Sequence, residues 1–398
     1  MPGGHTLSVC EVHAYGYRSL RSIRFPVGAL TVFIGANGAG KTNLYRALQL
    51  LQAAGNGTLA YELASEGGMA SVLWAGQRRA NQPAQIRLAA GFADPEMGSG
   101  PLFSYEVAAG FTTPVPPGPR GAFPLEPQIK DELLTFHHRG RTVKLLERRG
   151  PVVFGRGVAA GGTSADEGRR KEISRDLMAS ETALGAFDEP QAFPDIHGLR
   201  RLMLDWRFYH NMRTDPGSPL RRPCLAVTSA TLASDGSNLA SVLATLAHIR
   251  RDTVDLNRAV EDAFPGASLS VPLPEREASF GMTFPDHPKR VFVASELSDG
   301  TLHYLALAGA LLGLRLPAFI ALNEPESSLH PDLLEPLARL IVSASRRTQV
   351  WLVTHSERLA AALQEHGRVQ PKTVIKRNGE TWIEGLRLTG SFASDEPG

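Results

Sequence analysis

Residues 35–42 read Gly-Ala-Asn-Gly-Ala-Gly-Lys-Thr. This run fits G-x-x-x-x-G-K-[ST] in full, a spacing suited to holding a polyphosphate. Small residues let the backbone N–H groups of Gly35, Ala36, Asn37, Gly38, Ala39 and Gly40 wrap a β-phosphate. The helix that starts there adds its dipole. Lys41 can reach the β- and γ-phosphates, and the Thr42 hydroxyl can ligate Mg²⁺. Far downstream, residues 321–331 read Ala-Leu-Asn-Glu-Pro-Glu-Ser-Ser-Leu-His-Pro. Here Glu324 follows an apolar run, at a place where a carboxylate could orient or deprotonate a water.

These groups need rigid elements to hold them. The Gly-rich loop lies between an apolar strand, Ala29–Ile34, and a helical pattern from Lys41 to about Ala53 with Leu44, Leu48 and Leu51 on one face. Strand-like pieces precede it at Leu7–Ala14 and Ser22–Pro26. From Gln85 to Phe154, short β-like runs separated by Gly and Pro predict an antiparallel meander. Residues 155–180 are rich in Gly, Ser and charge and read as a loop or linker. From Asp195 to Phe264 the pattern is mainly helical. Its clearest helix has Ser237 as N-cap and buries Leu239, Val242, Leu243 and Leu246. β-like pieces return at 267–294. The chain then alternates helix 300–315, strand 318–322, helix 331–345, strand 348–353 and helix 356–365, followed by two last strands. There is no internal repeat and no heptad run long enough for a coiled-coil arm.

Three downstream segments come in a telling order. Leu-Ser-Asp-Gly-Thr, 297–301, stands directly before a helix and resembles the signature of ABC ATPases. In that family the Ser, the Gly and the helix start bind the γ-phosphate of a facing subunit. Next comes "AFIALNEPESSLHP", and then "VWLVTHS", whose His355 resembles the switch histidine that contacts the γ-phosphate. The opening "VHAYGYRSLRSIRFPVGALTVFIGANGAGKTNLYRALQLL" is similar to the start of RecF-like proteins, with a Tyr-Arg-Ser element and a phosphate loop ending Gly-Lys-Thr-Asn. "SDGSNLASVLATL" resembles a segment of stand-alone predicted AAA-type ATPases that also carry EPE-x-x-LHP. The chain therefore resembles the SMC/RecF/OLD branch of ABC-type ATPases over about 1–55 and 290–360, and in outline only between them.

The resemblance implies an α/β fold: an ABC-type P-loop ATPase head with an antiparallel β meander and a helical lobe inserted between Walker A and signature. It implies an N-terminal ATPase lobe at 1–155, a flexible linker and helical insertion at 156–266, a C-terminal ATPase lobe at 267–390 and a disordered tail at 391–398. ATP and Mg²⁺ are the implied cofactors. Gly35 through Asn43 would bind the nucleotide, with Arg18 nearby beside Tyr17 and Ser19. Ser298 and Gly300 would face the nucleotide of a second copy. Thr42 and Asn323 would hold Mg²⁺, and Glu324, His355 and Lys41 would carry catalysis. Gln77 is the candidate for a glutamine loop.

Asn323 departs from the family pattern, which has a carboxylate before the catalytic Glu. An amide oxygen still accepts a hydrogen bond from a metal-bound water but carries no charge. Mg²⁺ binds mainly through phosphate oxygens, a hydroxyl and waters, so weaker Mg²⁺ affinity and slow turnover are expected. Glu326, next but one on an extended segment, is expected to point away from Glu324, toward a dimer contact.

Composition sets the remaining bounds. The 398 residues are 42% hydrophobic and 21% charged, enough for a substantial core. A formal net charge of +2 gives no global argument for nucleic acid. Arg-rich clusters at 139–149, 200–222 and 346–347 are solvated faces or a DNA contact. Two cysteines make no disulfide framework, which fits a reduced cytoplasmic setting. The start of the chain lacks a signal-peptide pattern, and no apolar run spans a bilayer. The implied partners are ATP, a second copy of the chain in an ATP-sandwiched homodimer, DNA, and a separate effector or nuclease subunit. The alternatives are an ABC transporter ATPase subunit and an ATP-binding scaffold with little hydrolysis.

Overall fold

The computed structural model describes residues 7–77, 83–95, 100–112, 123, 125–138, 140–156, 170–173, 177–186, 189–210, 212–250 and 254–392. The chain divides into two compact units. One comprises 1–28, 35–206 and 373–398, the other 29–34 and 207–372. The four segments read from the sequence are a different partition, drawn on pattern rather than on contacts. Most of the tail at 391–398 and of the linker at 155–180 lies outside the described residues.

The first unit is built on an eight-stranded antiparallel sheet. Its strands run in the order Leu20–Pro26, Ser8–Tyr17, Gln85–Ala93, Phe103–Gly110, Gln128–His138, Arg141–Arg149, Val152–Arg156 and Arg170–Ile173. The meander expected over 85–154 is present. It is continuous with the two N-terminal strands, because Ser8–Tyr17 pairs with Gln85–Ala93. Alternation dictates this arrangement: Val12 and Ala14, with Ile86, Leu88 and Ala90 across the ladder, are buried. The unit also holds the helix Lys41–Asn56 and a C-terminal hairpin, whose strand Glu380–Ile383 follows an Asn378-Gly379 turn with both φ positive. Asn-Gly is the pair that a two-residue hairpin turn favours.

The second unit contains four parallel strands, ordered Arg207–His210, Phe319–Asn323, Gln349–Thr354 and Leu30–Ile34. Strands covered on both faces read as unbroken apolar runs, as Phe-Ile-Ala-Leu and Val-Trp-Leu-Val do here. The helices Asp299–Leu312, Leu334–Ser345 and Glu357–Gly367 pack into its core. Thr301 to Leu312 are all buried, as befits a helix apolar on every side. The expected helix near Ser237 is present as Leu239–Ala244, but its N-cap position is Asn238 rather than Ser237 and carries no side-chain cap. Ser237 bonds Asp235 instead. Among the described residues no helix is long and apolar enough to cross a membrane.

Candidate nucleotide site

The phosphate loop is held from behind by residues distant in sequence. Gly38 and Gly40 both have positive φ, +80° and +98°, and Gly40 opens the helix Lys41–Asn56 without a side-chain cap. A Cβ on Gly40 would lie 1.8 Å from the Thr381 Oγ1, so only glycine fits. Thr381 is buried and donates to the Ala39 carbonyl at 2.9 Å. Its hydroxyl also meets Ser19 Oγ at 2.6 Å, and Asn43 Nδ2 donates to the same Ser19 oxygen at 2.6 Å. Behind Gly35 a Cβ would come within 2.4 Å of the Val374 carbonyl. The C-terminal hairpin thus buttresses both ends of the loop. Sequence reasoning missed Thr381, since nothing local marks it.

The Lys41 side chain is buried and turned into the loop, donating to the Gly35 and Ala36 carbonyls at 2.6 and 2.9 Å. Ala36, Asn37, Gly38 and Thr42 are exposed, and Ala39 is buried. Of the Tyr-Arg-Ser element, Ser19 touches the loop structure directly. Tyr17 and Arg18 turn to Glu66, with Tyr17 donating at 2.8 Å and Arg18 paired at 2.8 Å. Burial, together with the Glu66 carboxylate, pushes the Tyr17 hydroxyl well above its usual range. Arg18 has a left-handed φ of 47° and a half-exposed side chain. Gln77 is exposed.

In the second unit, polar groups collect at the carboxyl ends of the parallel strands, where open α/β sheets place their ligands. His210 and Asn323 are register partners, and Asn323 Nδ2 lies 2.7 Å from His210 Nδ1. Glu324 extends the ladder through its N–H to Val353 and then turns sharply, with φ at 50°. A left-handed non-glycine residue costs about 1–3 kcal/mol and marks a place that the surrounding structure over-determines. The turn changes the expected path. Glu326 does not project from an extended segment toward a dimer contact. It folds back and is buried, and its Oε1 accepts from the backbone N–H of His355 and Ser356 at 2.9 and 3.2 Å and from the Thr354 hydroxyl. His355 Nδ1 lies 3.2 Å from Glu326 and 3.8 Å from Glu324. Glu324 and His355 are both partly exposed, so Glu326 anchors the histidine while Glu324 stays accessible.

The signature-like turn is equally constrained. Ser298 caps the helix Asp299–Leu312 by accepting from the Thr301 N–H. Arg221 holds the turn from below, donating to the Ser295 and Leu297 carbonyls at 3.1 and 2.7 Å and pairing with Asp299 at 2.6 Å. A Cβ on Gly300 would come within 3.0 Å of the Ser328 carbonyl. Ser298, Gly300 and Thr301 line an open groove of about 700 Å³ together with Ser328, His330 and Asp332. One turn along, buried His303 bonds to the Pro325 carbonyl, and desolvation lowers its pKa to about 4.

Of the two residues expected to serve Mg²⁺, each offers an oxygen of the kind that a hard cation takes. Thr42 offers an exposed hydroxyl, and the Asn323 Oδ1 is a buried oxygen with no hydrogen-bond partner among the described residues. Among the described residues no group of three or more His, Cys, Asp or Glu side chains is placed to hold a metal.

Comparison with protein families finds one described as "AAA domain, putative AbiEii toxin, Type IV TA system", which matches residues 30–136 and 186–361. The chain belongs to this family. Both the phosphate loop and the segment from the signature-like turn to His355 lie inside the matched ranges. No curated protein matches. Among solved structures, this AAA-family chain is similar to an SMC head bound to the C-winged helix domain of ScpA, at 15% identity over 94% of this chain and 96% of that one, with a TM-score of 0.48. It is also similar to an SMC head domain from Pyrococcus furiosus bound to the C-terminal domain of ScpA, at 14% identity over 96% and 97% with a TM-score of 0.47. A third is an SMC head domain from Thermotoga maritima, at 15% identity over 94% and 98% with a TM-score of 0.41. The fold is that of an α/β P-loop ATPase.

The arginine clusters divide differently from the sequence reading. Arg148 is buried in the sheet of this P-loop protein and donates to the Gly150 and Met178 carbonyls at 2.8 and 3.1 Å. Arg221 is nearly buried under the signature-like turn. Neither is a solvated or DNA-facing group. Arg346 and Arg347 are exposed, and Arg139 lies outside the described residues.

Proposed function

We propose that the chain is an ATPase whose two copies close on two ATP molecules. Lys41 and Thr42 of one copy act opposite Ser298 and Gly300 of the other. The observation that carries this reading is the outward-opening groove at the signature-like turn: an N-capped helix start, rigidly held by Arg221, presents Ser298 and the Gly300 backbone to solvent. A helix N-terminus of this kind suits the γ-phosphate of a nucleotide brought by another molecule. Within each copy, Gly35 to Asn43 cradle the phosphates, with Ser19 of the Tyr-Arg-Ser element bonded to Asn43, whereas Arg18 is turned to Glu66. Glu324 orients the attacking water, and His355, fixed by Glu326, donates toward the γ-phosphate. Thr42 and the Asn323 oxygen would hold Mg²⁺, which would offset charge on the β- and γ-phosphates. Opening and closing of the dimer is the output, acting on DNA or on a partner effector, with DNA repair or phage defence as the setting.

The test is phosphate release by the full chain with and without DNA, alongside Glu324→Gln. The variant should keep ATP binding, lose turnover and accumulate as an ATP-dependent dimer in light scattering. Unchanged turnover in Glu324→Gln overturns the catalytic assignment. A monomer at saturating ATP in that variant overturns the sandwich. ATP-dependent dimerisation of the unmodified chain without phosphate release makes it the nucleotide-gated scaffold instead.

A further inference from the structure

The resemblance gives no role to His210, yet the fold places it beside the residue that departs most from the family pattern. His210 ends the strand Arg207–His210 and is the direct register partner of Asn323 across the parallel ladder. The contact between Asn323 Nδ2 and His210 Nδ1 is 2.7 Å. An amide nitrogen only donates, so Nδ1 accepts and the ring proton sits on Nε2. With its nitrogen fixed, the carboxamide turns its oxygen to the opposite side. That oxygen is buried and has no hydrogen-bond partner among the described residues. A buried acceptor without a donor is costly to keep, which implies that its donor arrives with a ligand. An aspartate at 323 would instead accept from a protonated Nδ1, so the amide at 323 and the Nε2-protonated ring go together.

We propose that His210 is a positioning residue. It locks the Asn323 carboxamide so that the oxygen is presented at the strand ends to a hydrogen-bond donor, a water in the Mg²⁺ shell of the bound nucleotide. Histidine and asparagine together replace the family carboxylate by an oriented carbonyl dipole. This rests on the reading of Asn323 as part of the Mg²⁺-nucleotide site.

Two measurements on the full chain test it. In ¹⁵N-histidine NMR without nucleotide, the His210 signal, identified by its loss in His210→Gln, should show a protonated Nε2 and an accepting Nδ1. Asn323→Leu should abolish that pattern. In the second, a fluorescent ATP analogue is titrated with Mg²⁺. His210→Ala should raise the Mg²⁺ needed for half-maximal tight binding about 10-fold, as loss of an outer-shell partner does. Binding in EDTA should stay unchanged, and His210→Gln, which keeps an acceptor, should recover most of the effect. If Asn323→Leu shifts the Mg²⁺ dependence while His210→Ala does not, the positioning role is wrong and the nucleotide-site reading survives. If Asn323→Leu shifts nothing, the reading of Asn323 itself fails.

Discussion

His303 makes the signature-like helix sensitive to acid. The ring is buried between the helix Asp299–Leu312 and the turn after Glu324, where it bonds to the Pro325 carbonyl, and desolvation lowers its pKa from 6.5 to about 4. The unfolded chain, at the ordinary value, takes up a proton that the folded ring refuses. Stability is therefore complete above the unfolded pKa of 6.5 and is lost as the pH falls toward about 4. Between about pH 7.5 and about pH 5 the unfolded ring becomes almost fully charged, whereas the folded ring holds about a tenth of a proton, which integrates to about 2 kcal/mol. His303→Gln keeps a donor for the carbonyl and removes the titration. Amide hydrogen exchange across Asp299–Leu312, corrected for intrinsic pH dependence, reads the protection free energy of this segment at both pH values. The unmodified protein should lose about 2 kcal/mol more than His303→Gln on acidification. Equal losses in the two proteins would refute the assignment of the acid sensitivity to this ring.

Two further outcomes follow from the same geometry. Thr381→Val preserves shape but removes the hydroxyl that bonds to the Ala39 carbonyl and Ser19. It should weaken ATP binding roughly 5- to 10-fold, about 1–1.5 kcal/mol, in isothermal titration, and an unchanged Kd would show that the loop needs no support from the hairpin. Glu326→Ala leaves the His355 and Ser356 N–H groups and the Thr354 hydroxyl without their shared acceptor. It should cost about 2–3 kcal/mol, seen as faster exchange along Gln349–Thr354, and undiminished protection there would mean that another group takes over as acceptor.

Much of the architecture was legible because its signals are local. The phosphate loop works through consecutive backbone groups, so its eight residues declare it wherever they fold. The meander shows itself through period-two alternation, and the helix Asp299–Leu312 through an unbroken apolar run. The path after Asn323 was misread because spacing alone assumes an extended chain, whereas Glu324 adopts a positive φ that sends Glu326 back to the strand ends.

The sequence by itself determined the motif order, the kinds of element that carry the motifs, and the positions of Lys41, Thr42, Ser298, Glu324 and His355 within them. Tertiary structure alone decided what holds those residues in place. Thr381 meets Ala39 across 342 positions of chain, Asn323 meets His210 across 113, and Arg221 reaches Leu297 across 76. A side chain that bonds a distant carbonyl or amide leaves no period and no motif behind. Its partner is chosen by strand register and by the approach of backbones, and these exist only once the chain has folded.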